Sequence, residues 1–253
     1  MDKVQILFCR WYISEHAQNT AGGERSEHAT GLLTGGPPAV FDILDSDNEI
    51  LKTVKLKTEN QSAHIAIDAP LIVPNQEGRR LAEAEVGRLF RKYHAGAHPA
   101  NRNRLSSWGG KIRGEEITKL LVKQGFRHDP YIRQYEKSRK LYEVYPHPSM
   151  VVLFGLDKIL KYKAKPNRSY EYRWKQFRTY YKHLSNLIAM PERMRFSRLR
   201  GNALKKYEDK LDAVFCAYIA YYCWKHPERC AVLGNMKQGY IMTPVFEDMK
   251  RNI

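Results

Sequence analysis

Long apolar runs are missing from this 253-residue chain. None approaches the roughly 18–20 residues that a bilayer crossing needs, which excludes a helical membrane span. Cysteine is scarce as well. The four residues, at positions 9, 216, 223 and 230, form no C-x-x-C pair. Cys216 and Cys223 stand two helical turns apart in an apolar stretch and read as buried thiols. The opening residues MDKVQILFCRWYIS show no cleavable-signal pattern. A reduced, cytoplasmic protein is the expectation. Paired glycines occur at 22–23, 35–36 and 109–110, but there is no P-loop and no G-x-G-x-x-G. No internal repeat or low-complexity tract is present.

Acidic residues are also in deficit, 27 Asp and Glu against 43 Lys and Arg, for a net charge of +16. The imbalance is local. Residues 157–206 hold fifteen Lys/Arg and three Asp/Glu, a net +12. A basic surface of this kind favours a polyanion through counterion release, so DNA or RNA is the expected partner. A soluble basic protein with no such partner is the plainer alternative.

What remains has the pattern of an α/β protein. VQILFCRWYIS reads as a possible strand and residues 17–38 as loop, rich in Gly, Ser and Pro. AVFDIL (39–44) reads as a strand, SDNE as a turn and ILKTVKLKT (50–58) as a second strand. HIAIDAPLIV (64–73) is apolar on both faces, as a covered central strand would be. Glu77–Tyr93 has one broad apolar face and reads as a helix. Residues 94–114 form a long loop, and Glu115–Gln124 a short helix stopped by Gly125. KLYEVYP (140–146) is a further strand, and Ser149–Leu160 a helix. Arg168–Ile188 is a helix with Tyr170, Trp174, Phe177, Tyr181, Leu184 and Ile188 at three-four spacing, a core stripe more than a base-stacking platform. A last helix runs from about Ala203 to Lys225, followed by a strand near Ala231–Leu233 and the segment GYIMTP. Strands, then helix, strand and helices, make a mixed sheet flanked by helices.

Three isolated acids interrupt apolar elements. Asp212 lies in DKLDAVFCAYIAYY, apolar almost all the way round, where an unpaired carboxylate would cost several kcal/mol. Asp68 ends HIAIDAP at the carboxyl end of a strand, where α/β sites form. Glu143 interrupts LYEVYP. Asp209 shares a helix face with Asp212 at i, i+3. Each has a plainer reading: Asp68 as an Asx-type turn, Glu143 reaching outward from an edge strand, and Asp209 in a solvated first turn. His147, in YPHP, reads as structural more often than as a ligand. Together, clustered carboxylates without a Cys or His ligand pattern suit Mg²⁺ or Mn²⁺. Such ions promote in-line attack of water on a phosphodiester.

HIAIDAPL, GRRLAEAEVGR, YEVYPHP and DKLDA, in this order, resemble the domain of unknown function 429, a family of predicted nucleases with an RNase H-like fold. The resemblance spans about residues 39–243. The last helix is also similar to RuvC-type resolvases, in which an Asp-x-x-Asp-Ala pattern supplies metal ligands. The resemblance implies Asp68, Glu143 and Asp212 as catalytic acids and Asp68, Glu143, Asp209 and Asp212 as metal ligands. Arg80, Glu83 and His147 would be supporting residues. It implies a divergent segment 1–38 and an RNase H-like domain 39–253, carrying a basic helical insertion at about 157–206. One departure stands out. Such nucleases carry an Asp within the first strand, and no residue between Val4 and Gly36 fits that place, so the first strand is expected to be divergent or missing. A metal-dependent nuclease is the leading expectation, and a catalytically degenerate nucleic-acid binder the alternative. A sugar-kinase-like phosphotransferase ranks behind both, for want of a phosphate loop.

Overall fold

The computed structural model describes residues 5–9, 46–106, 110–188, 190 and 196–253. The expected strand AVFDIL, with Asp42, lies outside the described residues. Strand β1 (Gln5–Cys9) runs antiparallel to β2 (Ala63–Asp68), which pairs in parallel with β4 (Arg139–Glu143). The short β3 (Arg127–His128) adds in parallel on the far side of β4, giving the order β1-β2-β4-β3. Strands β5 (Cys230–Asn235) and β6 (Gly239–Pro244) form a separate antiparallel pair. The architecture is mixed α/β. Among the described residues, no helix is long and apolar enough to cross a membrane.

One sequence expectation is overturned. Residues 50–58 are not a strand: Asp47–Thr58 is helix α1. Ser46 and Glu49 form a reciprocal capping box that satisfies two otherwise unpaired amides of the first turn. Ile50, Val54 and Thr58 then face the core at fourfold spacing. The alternation that suggested a strand includes Leu56, which is 65% exposed.

The other helices follow the sequence more closely. Helix α2 spans Leu81–Phe90 and continues as a 3₁₀ turn to Tyr93. The long segment after it contains a short helix, α3 (Arg102–Leu105). Helix α4 (Arg113–Lys123) starts two residues before the expected point. Gly114 permits that start: a Cβ there would lie 2.0 Å from the Pro70 carbonyl, so α4 touches the chain just beyond Asp68. Helix α5 spans Pro146–Phe154 instead of 149–160, because Pro146 is pre-organised for the first turn and Gly155 ends it with a left-handed residue. Helices α6 (Tyr170–Leu187) and α7 (Gly201–Lys225) match the expected positions, and a short α8 (Glu247–Lys250) closes the chain.

Helix α7 packs on β1 and β2, and this contact positions Asp212. Leu211, Val214, Phe215, Cys216, Ile219 and Cys223 of α7 are buried with Tyr142, Tyr162, Phe177 and Tyr180 in the largest core cluster. Each such side chain contributes about 1.5–3 kcal/mol of apolar burial. That suffices to hold one carboxylate in the middle of the helix.

Core strand β2 also buries a histidine. His64 is 1% exposed, packs edge-on against Tyr142 and lies 3.3 Å from the Ser138 hydroxyl through Nε2. Burial lowers its pKa to about 4, with Glu136 opposing and Lys140 assisting. Between pH 4 and 6.5 the unfolded chain therefore binds a proton that the folded chain does not. Stability from this group is complete above pH 6.5 and is lost as the pH falls toward 4. The shift corresponds to about 3 kcal/mol. Urea denaturation of wild type and His64→Gln at pH 7 and pH 4 should show the difference between them changing by about that amount. A difference independent of pH would refute the assignment.

Candidate functional site

The carboxyl ends of the parallel neighbours β2 and β4 lie side by side. Asp68 is the last residue of β2 and is half-buried. Glu143 is the last residue of β4, one strand away, and is 3% exposed. Asp212, from the middle of α7, is fully buried.

Asp212 is held by the loop between α5 and α6 and by α6 itself. The Tyr162 hydroxyl donates to Asp212 Oδ1 at 2.6 Å, and the Tyr180 hydroxyl reaches the same oxygen at 3.2 Å. The other oxygen, Oδ2, accepts no hydrogen bond among the described residues. Its partner is ionic: Lys163 Nζ lies 3.1 Å away, at an angle that does not make a hydrogen bond. Burial acts to lower the Lys163 pKa, but Asp212 and Asp68 overcome it and hold the ammonium above its ordinary value. Asp68 belongs to the same electrostatic group. Burial raises its carboxyl to about 7, Lys163 opposes, and Asp212 and Glu143 add to the rise.

Glu143 is engaged differently. Arg80, the residue before α2, donates to Glu143 Oε2 through Nη1 at 2.9 Å and to Oε1 through Nη2 at 2.6 Å. The Leu71 amide adds a third hydrogen bond, at 2.9 Å. Arg80 also binds Glu83 and the Ile72 carbonyl, while Glu83 Oε2 accepts from the Arg80 amide. Burial raises Glu143 to about 7 against the pull of Arg80. Gly239 is part of this clasp: a side chain there would run into Arg80 and the Ile72 carbonyl.

The remaining candidates lie at the margins. Asp209 pairs with Lys205 at 2.6 Å, and the same lysine reaches Glu208 at 2.7 Å. His147 Nδ1 is 2.7 Å from the Tyr145 hydroxyl, and burial, helped by Lys163 and other nearby cations, lowers its pKa to about 3. The structure thus pairs Asp212 with Lys163, sets Asp68 within their electrostatic reach, gives Glu143 to Arg80 and gives Asp209 to Lys205.

A hard divalent cation requires several oxygen donors free to turn toward it. Asp68 and Asp212 are oxygen donors that act on one another electrostatically, and Asp212 Oδ2 accepts no hydrogen bond but faces the Lys163 ammonium at 3.1 Å. Glu143 does not fit, because Arg80 holds both of its oxygens. Among the described residues, no group of three or more His, Cys, Asp or Glu side chains is arranged to hold a metal ion. The strand beside Asp68 supplies no further acid: β1 reads QILFC, and Gln5 is the register partner of Asp68.

Sequence reasoning singled out neither Lys163 nor Tyr180. Lys163 is one of many basic residues in its segment, and Tyr180 lies off the aromatic stripe at three-four spacing. In that stripe Phe177 and Leu184 are buried as expected, while Tyr180 is buried where Tyr181 was expected. On the outer side of α6, Lys175, Arg178 and Lys182 recur at three-four spacing and are exposed. Arg173 turns inward instead, binding the Tyr162 carbonyl at 2.8 Å and approaching Glu208 at 3.4 Å.

Residues 39–237 match the family model described as a protein of unknown function, DUF429. No curated protein and no solved structure matches the chain.

Proposed function

The chain belongs to the DUF429 family, whose description states no activity, and on the geometry of its own residues we propose that it is a divalent-cation-dependent nuclease of RNase H-like type. The observation that carries this reading is the Asp68–Asp212 pair near the end of β2, in which Asp212 Oδ2 is held by the Lys163 ammonium alone. Mg²⁺ or Mn²⁺ held there would supply Lewis-acid stabilisation of the charge that develops on a phosphodiester attacked by water. The protein's own groups do the rest. Tyr162 and Tyr180 fix Asp212 through Oδ1 and leave Oδ2 for the ligand. Burial raises the Asp68 carboxyl to about 7, with Lys163 opposing. Arg80 fixes Glu143 and, with the Leu71 amide, sets the course of the chain after Asp68. Lys175, Arg178 and Lys182 offer charges to a nucleic-acid backbone.

A second reading has its own support. Lys163 already compensates Asp212, and β1 carries no acid, which suits a degenerate nuclease that binds nucleic acid without cutting it. One experiment separates the two: labelled single- and double-stranded DNA and RNA are incubated with Mg²⁺, Mn²⁺ or chelator, beside a salt-titrated binding assay. The nuclease reading expects cleavage that chelator abolishes. Replacing Lys175, Arg178 and Lys182 by Ala should reduce the slope of log affinity against log salt by about 3. Steep salt-dependent binding with no cleavage under any cation supports the second reading. Neither binding nor cleavage refutes both.

A further inference from the structure

We propose that the outer edge of α6, with Arg200 stacked upon it, is a docking face for single-stranded nucleic acid. The Arg200 guanidinium takes the face of an unpaired base, and Arg178 and Lys182 take phosphates. The inference rests on the nucleic-acid partner that both readings above share, and adds the class of strand. It starts from an aromatic pair. Tyr170 and Trp174 stand one helical turn apart, their ring centroids 6.1 Å from each other. Both pack against the largest core cluster and remain partly exposed. The Arg200 guanidinium lies over both rings, 5.3 Å from the Tyr170 centroid and 5.7 Å from that of Trp174.

Backbone contacts hold this stack in place. Trp174 Nε1 donates to the Leu199 carbonyl at 3.0 Å, and the Gly201 amide donates to the Tyr170 hydroxyl at 3.3 Å. The residues on either side of Arg200 are thus fixed to the rings that its side chain covers. Arg200 is itself exposed. A guanidinium plane held this way stacks on a base as an aromatic ring does, and every base has a π-face. The same edge then turns basic. Each four-residue step advances about 40° around a helix. Tyr170, Trp174, Arg178 and Lys182 therefore wind slowly from the core margin toward solvent, where Arg178 and Lys182 are exposed. Trp174 and Lys182 are about 12 Å apart along the axis, the length of about three to four stacked nucleotides. The one acid of α6, Glu171, is exposed and within electrostatic reach of Arg200. A duplex offers its phosphates to these cations but keeps its base faces internal. Only an unpaired strand presents phosphates and a base face together.

The test measures binding of three labelled probes of equal length by fluorescence anisotropy, in chelator so that no probe is cut. They are a mixed-sequence single strand of DNA, the same backbone with abasic sites throughout, and the duplex of the first. Wild type should bind the single strand about tenfold more tightly than the abasic strand or the duplex, although the duplex carries more phosphates. Arg200→Lys keeps the charge and removes the plane. It should lower single-strand affinity about tenfold and leave the abasic and duplex affinities within about twofold. Equal wild-type affinity for the single and abasic strands overturns the stacking role without reference to any variant, as does a single-strand affinity unchanged in Arg200→Lys. A duplex bound as tightly as the single strand overturns the strand preference. Those three results leave the nucleic-acid reading standing, whereas no binding of any probe overturns that reading and this inference together.

Discussion

Asp212→Asn is expected to lower Mn²⁺-dependent cleavage by about 10³-fold, equivalent to about 4 kcal/mol of transition-state stabilisation. The fold should tolerate the change. Asn keeps an oxygen that can accept from Tyr162 and Tyr180, so the two hydroxyls stay satisfied. Lys163 loses its partner but has a route to solvent. Burial of one charge is also relieved, so unfolding free energy should move by no more than about 1 kcal/mol. Asp212→Ala differs in kind. It leaves two buried tyrosine hydroxyls without an acceptor, at about 1–3 kcal/mol each. Activity and denaturation measured on both variants therefore separate chemistry from architecture. Wild-type cleavage by Asp212→Asn removes Asp212 from the chemistry.

The largest effect on stability is expected at Arg80. Its side chain is 1% exposed and holds Glu143 with two hydrogen bonds and Glu83 with two more. Arg80→Met leaves two buried carboxylates without their cation, a loss of about 3–5 kcal/mol. That is a large share of the 5–15 kcal/mol by which a domain is typically stable. Arg80→Lys should recover little, because an ammonium cannot span both oxygens of Glu143 while also reaching Glu83. Glu143→Gln should cost less than Arg80→Met, because Arg80 keeps Glu83 as its counter-charge, but the amide NH2 then meets an Arg80 N–H and one hydrogen bond is lost. The double variant Arg80→Met with Glu143→Leu should lose less than the two single changes combined, because neither leaves the other's charge exposed to an apolar surrounding. Urea midpoints for wild type, Arg80→Met, Glu143→Leu and the double variant give the coupling directly. A loss below about 1 kcal/mol in Arg80→Met would show that the clasp does not hold the sheet ends.

The two sites differ in how far the sequence exposes them. Asp212 is legible because a carboxylate inside DKLDAVFCAYIAYY contradicts its surroundings. Its partners are not, since Tyr162 and Tyr180 are 50 and 32 residues away along the chain and come from a loop and another helix. Local periodicity carries no information on such pairings. Glu143 is legible as an anomaly for the same reason, and its pairing with Arg80, 63 residues away, arises only when α2 starts beside the ends of β2 and β4. Helix α1 shows the opposite failure. Ser46 and Glu49 mark a helix start and Ile50, Val54 and Thr58 a helix face, but the β-branched residues and loose alternation of ILKTVKLKT outweighed them. The strands β2, β4 and β5 and the helices α4, α6 and α7 follow from apolar pattern and end signals, because each buries a face that its own sequence already displays.

The central claim is that Asp68 and Asp212 form one cation site. The most direct measurement is anomalous scattering from crystals of the wild type grown with Mn²⁺. The account predicts a manganese peak about 2.1 Å from a carboxylate oxygen of each residue. Crystals of the same protein with no manganese between these carboxylates would contradict it.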